Sequence, residues 1–409
     1  MKHLIIGAGA AGITAAKTIR ALKPEDEIVL ISEDEKIISR CMLHKYISGE
    51  REIDSLRFVP DDFFETNRIE WRNGVKMTGV DTTAKAVLCG EEAINYDKLL
   101  IATGAISAIP PIGALRSAKN VYGLRHLSDA KIIHEAAQQA QRAVVIGAGL
   151  VGLDVAYALL EMKKDVTVVE LAPRVLALNL DERAAEAYQT RFEAAGCRFY
   201  LGRKLTDTLG DGDVVEQIVL DDGSVLPCDL LIVATGVRPD VSFIEKSGIA
   251  CDRAIIVDKH MATSCPDVYA AGDVTGLSGT WPNAMRQGEI AARNMCDKAT
   301  IYEDTFAAKN TVNFFGLVTL SVGVLMPEEG DKVELREDRN IYQKVIIRDG
   351  CVCGLIMQGN IANSGFWQYF VKKNIRIDTV DKPIWRLSFA DFCTLNEAGE
   401  YRYRTEVTA

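Results

Sequence analysis

The chain has 409 residues, of which 48% are hydrophobic and 25% charged, and a formal net charge of −10. At roughly 100–200 residues per domain this length gives two or three domains, and the composition excludes long disorder and fibrous folds. No long run of Lys or Arg is present, which argues against nucleic acid and against an anionic membrane as partners. Met1-Lys2 leads directly into an apolar run, with no separate charged segment, apolar segment and cleavage site, so no signal peptide is expected. The longest weakly polar stretch, residues 311–326, contains Asn313, Gly316 and Thr319 and falls short of the roughly 20 residues that span a bilayer. A cytoplasmic protein is expected. The cysteines are scattered, with no C-x-x-C, so neither a structural zinc nor a Cys-ligated iron–sulfur cluster finds local support. No metal site is expected, and in a reducing compartment the thiols should stay free and packed.

In chain order, His3-Leu4-Ile5-Ile6 reads as a strand and Gly7-Ala8-Gly9-Ala10-Ala11-Gly12 as a glycine turn. Ile13 to Leu22 reads as a helix and Ile28-Val29-Leu30-Ile31 as a second strand. Glu33 stands about 20 residues beyond the last glycine, the position at which an acid meets the ribose of a dinucleotide. Gly7 allows the tight turn, Gly9 lets a pyrophosphate reach the backbone, and Gly12 lets helix and strand pack closely. The helix N-terminus offers unpaired N–H groups and partial positive charge to the phosphates. The pattern then returns. Ala143-Val144-Val145-Ile146 leads into Gly147-Ala148-Gly149-Leu150-Val151-Gly152, a helix to about Met162, the strand Val166-Thr167-Val168-Val169 and Glu170. Leu99-Leu100-Ile101-Ala102-Thr103-Gly104 is matched by Leu231-Ile232-Val233-Ala234-Thr235-Gly236. Two such units in one chain imply two dinucleotides and electron transfer between them.

These motifs, with Val237-Arg238-Pro239 and Asp267-Val268-Tyr269-Ala270-Ala271-Gly272-Asp273, resemble the FAD- and NAD(P)-dependent pyridine nucleotide–disulfide oxidoreductases over roughly residues 1–300. The resemblance implies an α/β fold with two Rossmann-like dinucleotide-binding domains and a small α+β C-terminal domain. It places a discontinuous FAD domain at 1–108 and 243–303, an NAD domain at 109–242 and a C-terminal domain at 304–409. FAD would lie on Gly7, Gly9, Gly12, Glu33, Thr103 and Gly104, with Asp273 on its ribityl chain. The nicotinamide cofactor would lie on Gly147, Gly149, Gly152, Glu170 and Gly236. The helix after Trp281-Pro282-Asn283-Ala284, extending to Met295, would point its N-terminus at the flavin, Pro282 suiting a first helical position. Glu170 would repel a 2′-phosphate and favour NAD over NADP, with Arg174 as a partial offset.

Ser39-Arg40-Cys41-Met42-Leu43-His44-Lys45-Tyr46-Ile47-Ser48-Gly49 resembles two subfamilies in different ways. Arg40, Leu43 and Lys45 match the R-x-x-L-x-K pattern of ferredoxin- and rubredoxin-reductase-type members, in which Arg meets the FAD phosphates and Lys the ring system. Cys41 falls where single-cysteine NADH oxidases, peroxidases and coenzyme A-disulfide reductases keep a redox thiol. A dithiol would need a second cysteine at Lys36, the loop histidine of oxidases and peroxidases is Ala10, and the glycine after their thiol is Met42. A redox Cys41 is expected to share a helix face with Lys45 and to have a lowered thiol pKa; a packing Cys41 is not. Asp154, two residues after Gly152, matches a family Glu that pairs with the lysine, so a Lys45–Asp154 ion pair is expected, direct or, for the shorter Asp, bridged by a water. His44 is read as facing away, and His3, His126, His134 and His260 show no partner pattern in the sequence. Cys351 and Cys353 share a strand face as buried thiols.

Asn313-Phe314-Phe315-Gly316-Leu317, Tyr342–Ile347 and Gly354–Gly359 read as successive strands of the C-terminal domain. Trp367, Trp385, Phe389 and Phe392 serve either a core or a partner. The reading is a flavoprotein that carries electrons from NADH through FAD to a redox protein partner or partner subunit. Its rivals are a thiol or oxygen reductase acting through Cys41 and a flavoprotein whose redox state gates a partner.

Overall fold

A computed structural model describes residues 1–303, 309–395, 397 and 401–403. The chain separates into two compact units. One comprises Met1–Gly147, Val151–Val169 and Lys204–Glu303; the other comprises Ala148–Leu150, Glu170–Arg203 and Asp304–Ala409.

The first unit holds two sheets of parallel strands built on one plan. In the first, Lys2–Ile6 lies between Glu27–Ile31 and Lys98–Ile101, with Glu70–Arg72 and Val268–Ala270 outside them. The apolar runs of these strands are buried on both faces, as parallel strands covered on both sides require. In the second, Arg142–Ile146 lies between Asp165–Glu170 and Leu230–Val233, and Val121–Tyr122 follows Leu230–Val233. Each sheet is accompanied by a three-stranded antiparallel meander: Gly79–Asp81, Ala86–Cys89 and Glu92–Asn95 in one case, and Leu205–Leu209, Gln217–Leu220 and Val225–Pro227 in the other. The fold is therefore α/β with two Rossmann-like halves, as expected.

The helix Ala10–Leu22 begins inside the glycine turn, earlier than Ile13, so Gly12 is a helical residue. It packs on the helix Trp281–Met295. There a side chain at Gly288 would place its Cβ 2.2 Å from the Ala11 carbonyl oxygen, so the two backbones touch.

In the second unit five antiparallel strands run in the order Lys309–Phe314, Leu317–Gly323, Cys351–Gln358, Ile341–Arg348 and Lys332–Asp338. Asn313–Leu317 is not one strand. Phe315 (φ 51°) and Gly316 (φ 72°) are left-handed and close a two-residue hairpin between the first two strands. The helix Ser364–Lys373 lays Phe366, Trp367 and Phe370 on this sheet with Leu320, Val345 and Leu355. Phe392 is buried there too, and Trp385 and Phe389 pack against the cluster, so the aromatic tail is core. Cys351 and Cys353 donate to the carbonyls of Asn374 and Ile346. No helix among the described residues is long and apolar enough to cross a membrane.

Candidate functional site

At the first turn Gly7 is left-handed (φ 101°), and a Cβ there would sit 2.2 Å from the Ala102 carbonyl oxygen. A Cβ at Gly12 would lie 1.9 Å from the Gly7 oxygen, whereas Gly9 has nothing within 4 Å. The second turn repeats this. A Cβ at Gly147 (φ 107°) would lie 2.5 Å from the Ala234 oxygen and one at Gly152 1.9 Å from the Gly147 oxygen, whereas Gly149 is open. In both turns, then, two glycines are required by neighbouring backbone and the middle one leaves room for something else.

Beside the first turn is a cleft lined by Gly7, Glu33, Asp34, Arg40, Thr103 and His126, among others. The helix Ala10–Leu22 has no side-chain cap, so its first amides are open toward this side. The buried hydroxyl of Thr103 has no partner among the described residues. Glu33 is exposed, and Gly104 is left-handed (φ 82°) with the Arg40 guanidinium beside it. Arg40 donates to Asp34 at 2.9 Å, and His126 Nδ1 lies 3.4 Å from the same carboxylate. Burial pushes the Asp34 carboxyl up, but His126 and Arg40 outweigh it and hold it down at about 2. Arg125 donates to Asp273 at 2.5 Å and to the Ala105 carbonyl. Asp34, Arg125 and His126 were not found from the sequence. Asp129 offered a local signal, because it accepts from the amides of both Arg125 and His126 and fixes them ahead of the helix Leu127–Gln139.

Trp281 starts the helix Trp281–Met295, edge-on to Phe58 at 4.8 Å between ring centroids. Asn283 is buried and donates to Ser278, and Ala284 is buried beside it. At the second turn both Glu170 oxygens are engaged by backbone, accepting from the amides of Ala148 at 2.6 Å and Ala172 at 2.7 Å. Arg174 turns to the Ala177 carbonyl. Gly236 is left-handed (φ 113°), and its carbonyl receives the Ala108 amide.

The segment carrying Cys41 corrects several expectations. It is a 3₁₀ turn, Arg40–Met42, followed by a short helix, Leu43–Ile47, so Cys41 and Lys45 do not share one helix face. The Cys41 side chain is exposed. Its thiol is nevertheless pushed up, first by desolvation of the sulfur and then by the Asp154 carboxylate, with Arg125 opposing. Lys45 makes no direct ion pair with Asp154, although its charge acts on that carboxyl; it pairs with Glu50 at 2.5 Å and sits 5.5 Å over the Tyr157 ring. His44 faces inward, its Nδ1 3.7 Å from Asp154 Oδ1. The other histidines have partners: His3 meets Asp26, His134 the Ile47 carbonyl and His260 the Thr300 carbonyl.

Burial pushes the Asp154 carboxyl up to about 8, although Lys45 pulls the other way. A folded-state pKa above the unfolded value means stability that is complete below about pH 4 and is lost as pH rises through about 8. Asp154→Asn should therefore flatten the decline of the apoprotein's melting temperature over that window. An Asn variant that declines as steeply as wild type would contradict the burial of this charge.

Residues 1–288 match the pyridine nucleotide-disulphide oxidoreductase family. The chain belongs to that family. It is similar to the nitrite reductase (NAD(P)H) of Bacillus subtilis, at 29% identity over 93% of this chain and 48% of that protein. It is also similar to the epsilon subunit of the NADH-dependent phenylglyoxylate dehydrogenase of Aromatoleum evansii, at 31% identity over 87% of each. A ferredoxin reductase from Rhodopseudomonas palustris superposes with a TM-score of 0.81 over 93% of this chain and 98% of that one, at 27% identity. The chain spans about half the length of the first of these relatives. FAD and NAD(H) are the cofactors of this family. The residues fit both groups: each turn has an open middle glycine, and the first adds an uncapped helix end and an orphan hydroxyl.

Proposed function

We propose that the chain is an NADH-oxidising flavoprotein that hands electrons to a protein electron carrier or an iron–sulfur partner subunit. FAD, when bound, supplies the step from two-electron hydride chemistry to single-electron release. The observation that carries the reading is Cys41. It has no second thiol at position 36, where Lys36 instead pairs with Asp54, and its own thiol is pushed up, away from the nucleophilic thiolate. The electrons then have no thiol relay to follow. The epsilon subunit named above, similar over nearly the whole chain, supports a role within a larger assembly.

In this reading residues 1–108 and 243–303 form the FAD domain, 109–242 the NAD domain and 304–409 the C-terminal domain. Gly7, Gly9 and Gly12 seat the FAD pyrophosphate, with Arg40 adding positive charge and Thr103 a hydroxyl. Glu33 takes the adenosine ribose, and Gly104, Trp281, Asn283 and Ala284 wall the flavin end. Asp273, clamped by Arg125, faces the ribityl chain. Gly147, Gly149, Gly152 and Gly236 seat NADH, and Lys45 and Asp154 stand where the two cofactors approach. The cytoplasm suits a protein whose cysteines are all free in the structure.

Steady-state NADH oxidation against ferredoxin, rubredoxin, coenzyme A disulfide and O₂ tests the proposal. Turnover should be fastest with a protein carrier, and Cys41→Ser, with FAD retained, should keep most of it. Loss of that turnover in the serine variant would move the assignment to thiol chemistry. FAD reduction without turnover on any acceptor would point to a redox-gated binding protein.

Glu170 gives a second test. A carboxylate fixed by two amides cannot swing away from a 2′-phosphate, so kcat/KM should be higher with NADH than with NADPH. Glu170→Ala should narrow that ratio by roughly tenfold, about 1.4 kcal/mol. A wild-type preference for NADPH would refute the role.

A further inference from the structure

We propose that the strand Lys332–Asp338 is a dimerisation edge: it pairs antiparallel with the same strand of a second copy of this chain, about a twofold axis at Leu335, and so joins the two five-stranded sheets into one. The strand belongs to the second unit, and its role is independent of the electron-transfer reading.

Lys332–Asp338 ends its sheet, bonded to Ile341–Arg348 on one side, and no other described strand lies on its outer side. Its register runs unbroken from Lys332 opposite Ile347 to Asp338 opposite Ile341, with no bulge and no proline. Alternate amides and carbonyls therefore point outward along the whole strand, an open template for another one. All of its residues except Glu334 are exposed, among them Val333 at 37% and Leu335 at 59%. Charge guards such an edge when pairing would bring like charges together. Self-pairing here does the opposite.

Facing residues of an antiparallel pair share one side of the sheet. A twofold axis normal to the sheet keeps every residue on its own side, so the axis must pass through a residue. With the axis at Leu335, Lys332 faces Asp338 of the second copy, Glu334 faces Arg336 of the second copy, and Leu335 faces its own counterpart. Lys332, Glu334, Arg336 and Asp338 all lie on the side of Val345 and Ile347, so these pairs, each made twice, form one line of opposite charges. Moving the axis by one residue destroys the match. At Glu334 it sets that carboxylate against itself and Lys332 against Arg336; at Arg336 it sets that guanidinium against itself and Glu334 against Asp338. Moving it by two leaves only three residues of the strand paired.

The single chain leaves these charges available. Lys332 reaches along its own strand to Glu334 at 2.8 Å, a pair on the surface, and Arg336 has no ion pair among the described residues. Glu337, on the Leu335 side, is already held by Arg183 at 2.6 Å, so it brings no unbalanced charge to Val333 of the second copy. The backbone ladder supplies affinity and the charge line fixes the register. One strand pair is a small interface, which places the dimer in the micromolar range.

Sedimentation velocity of the FAD-loaded full chain, from about 1 to 100 μM, should show a monomer–dimer equilibrium that weakens with added salt. Glu334→Arg and Arg336→Glu each set like charges face to face twice. Each should raise the dimer dissociation constant on the order of a hundredfold or more, with circular dichroism and flavin absorbance as in wild type. An equimolar mixture of the two variants should dimerise again, because Arg at 334 then faces Glu at 336 and Arg336 faces Glu334. Leu335→Cys in the otherwise unchanged chain reads the register directly and does not depend on how the charge variants fold. Facing residues lie about 4.5–5.5 Å apart, within disulfide reach, so mild oxidation should give a covalent dimer that mass spectrometry maps to position 335 in both copies. Val333→Cys, about 14 Å from its counterpart, should not cross-link to itself. The proposal is overturned if the wild type stays monomeric over that range, if either charge variant dimerises as the wild type does, if the mixture stays monomeric, or if Val333→Cys cross-links as readily as Leu335→Cys.

Discussion

Replacing Gly12 by alanine should give a protein that loses FAD and is itself destabilised. The new methyl would stand 1.9 Å from the Gly7 carbonyl oxygen, 3.1 Å from the Gly7 carbonyl carbon and 3.3 Å from Ile5 Cγ2. Two of those neighbours are backbone, which cannot rotate aside. Either the helix Ala10–Leu22 moves off the strand Lys2–Ile6 or the turn opens. Overpacking in a close-packed interior costs roughly 1–3 kcal/mol, occasionally more. A displaced turn also misdirects the helix N–H groups, so FAD affinity should fall on the order of a hundredfold, about 3 kcal/mol. Gly9→Ala separates the two effects. Nothing lies within 4 Å of that position, so the apoprotein should melt near the wild-type temperature while FAD binding alone is lost. If Gly12→Ala purifies yellow with an unchanged melting temperature, the close contact at this turn does not constrain the fold. If Gly9→Ala binds FAD normally, the pyrophosphate lies elsewhere.

The contrast between these glycines shows what a sequence can carry. Gly7, Gly9 and Gly12 announce themselves because their spacing is local and recurs at Gly147, Gly149 and Gly152. Gly288 serves an equally strict contact with Ala11, but that contact joins helices far apart in the chain, and one glycine in a helix has no motif around it. The two meanders were missed for a related reason, their strands being three to five residues long with weak alternation. At the candidate site, the approach of segment 40–47 to Asp154 was legible but its pairing was not. Gly49 is left-handed (φ 77°), and the Arg51 amide returns to the Lys45 carbonyl. The chain therefore folds back and delivers Glu50 to Lys45. A family pattern that places Lys45 opposite a carboxylate says nothing of a competing acid five residues downstream, nor of His44 filling the vacated side.

Lys344→Met should be among the most destabilising single changes in the second unit. Lys344 and Asp181 side chains are each 8% exposed, and Nζ lies 2.8 Å from Asp181 Oδ2 and 2.8 Å from the Leu325 carbonyl oxygen. The Tyr342 hydroxyl donates to the same carboxylate oxygen at 2.7 Å. Asp181 Oδ1 accepts from the Ala184 amide and so caps the helix Glu182–Ala194. One carboxylate thus ties a helix start to the strand Ile341–Arg348, with its charge balanced by a single enclosed ammonium. Removing the ammonium leaves a buried anion with only neutral donors, a loss of roughly 3–5 kcal/mol. Asp181→Asn on the Lys344→Met background removes the stranded charge and keeps an N-cap. The double variant should therefore recover part of the loss, a coupling on the order of 0.5–3 kcal/mol. Urea unfolding of the full chain, followed by far-ultraviolet circular dichroism, reads both effects. A Lys344→Met loss under about 1 kcal/mol, no more than an exposed ion pair contributes, would mean that water reaches this pair and that the buried charge does not hold the helix to the sheet.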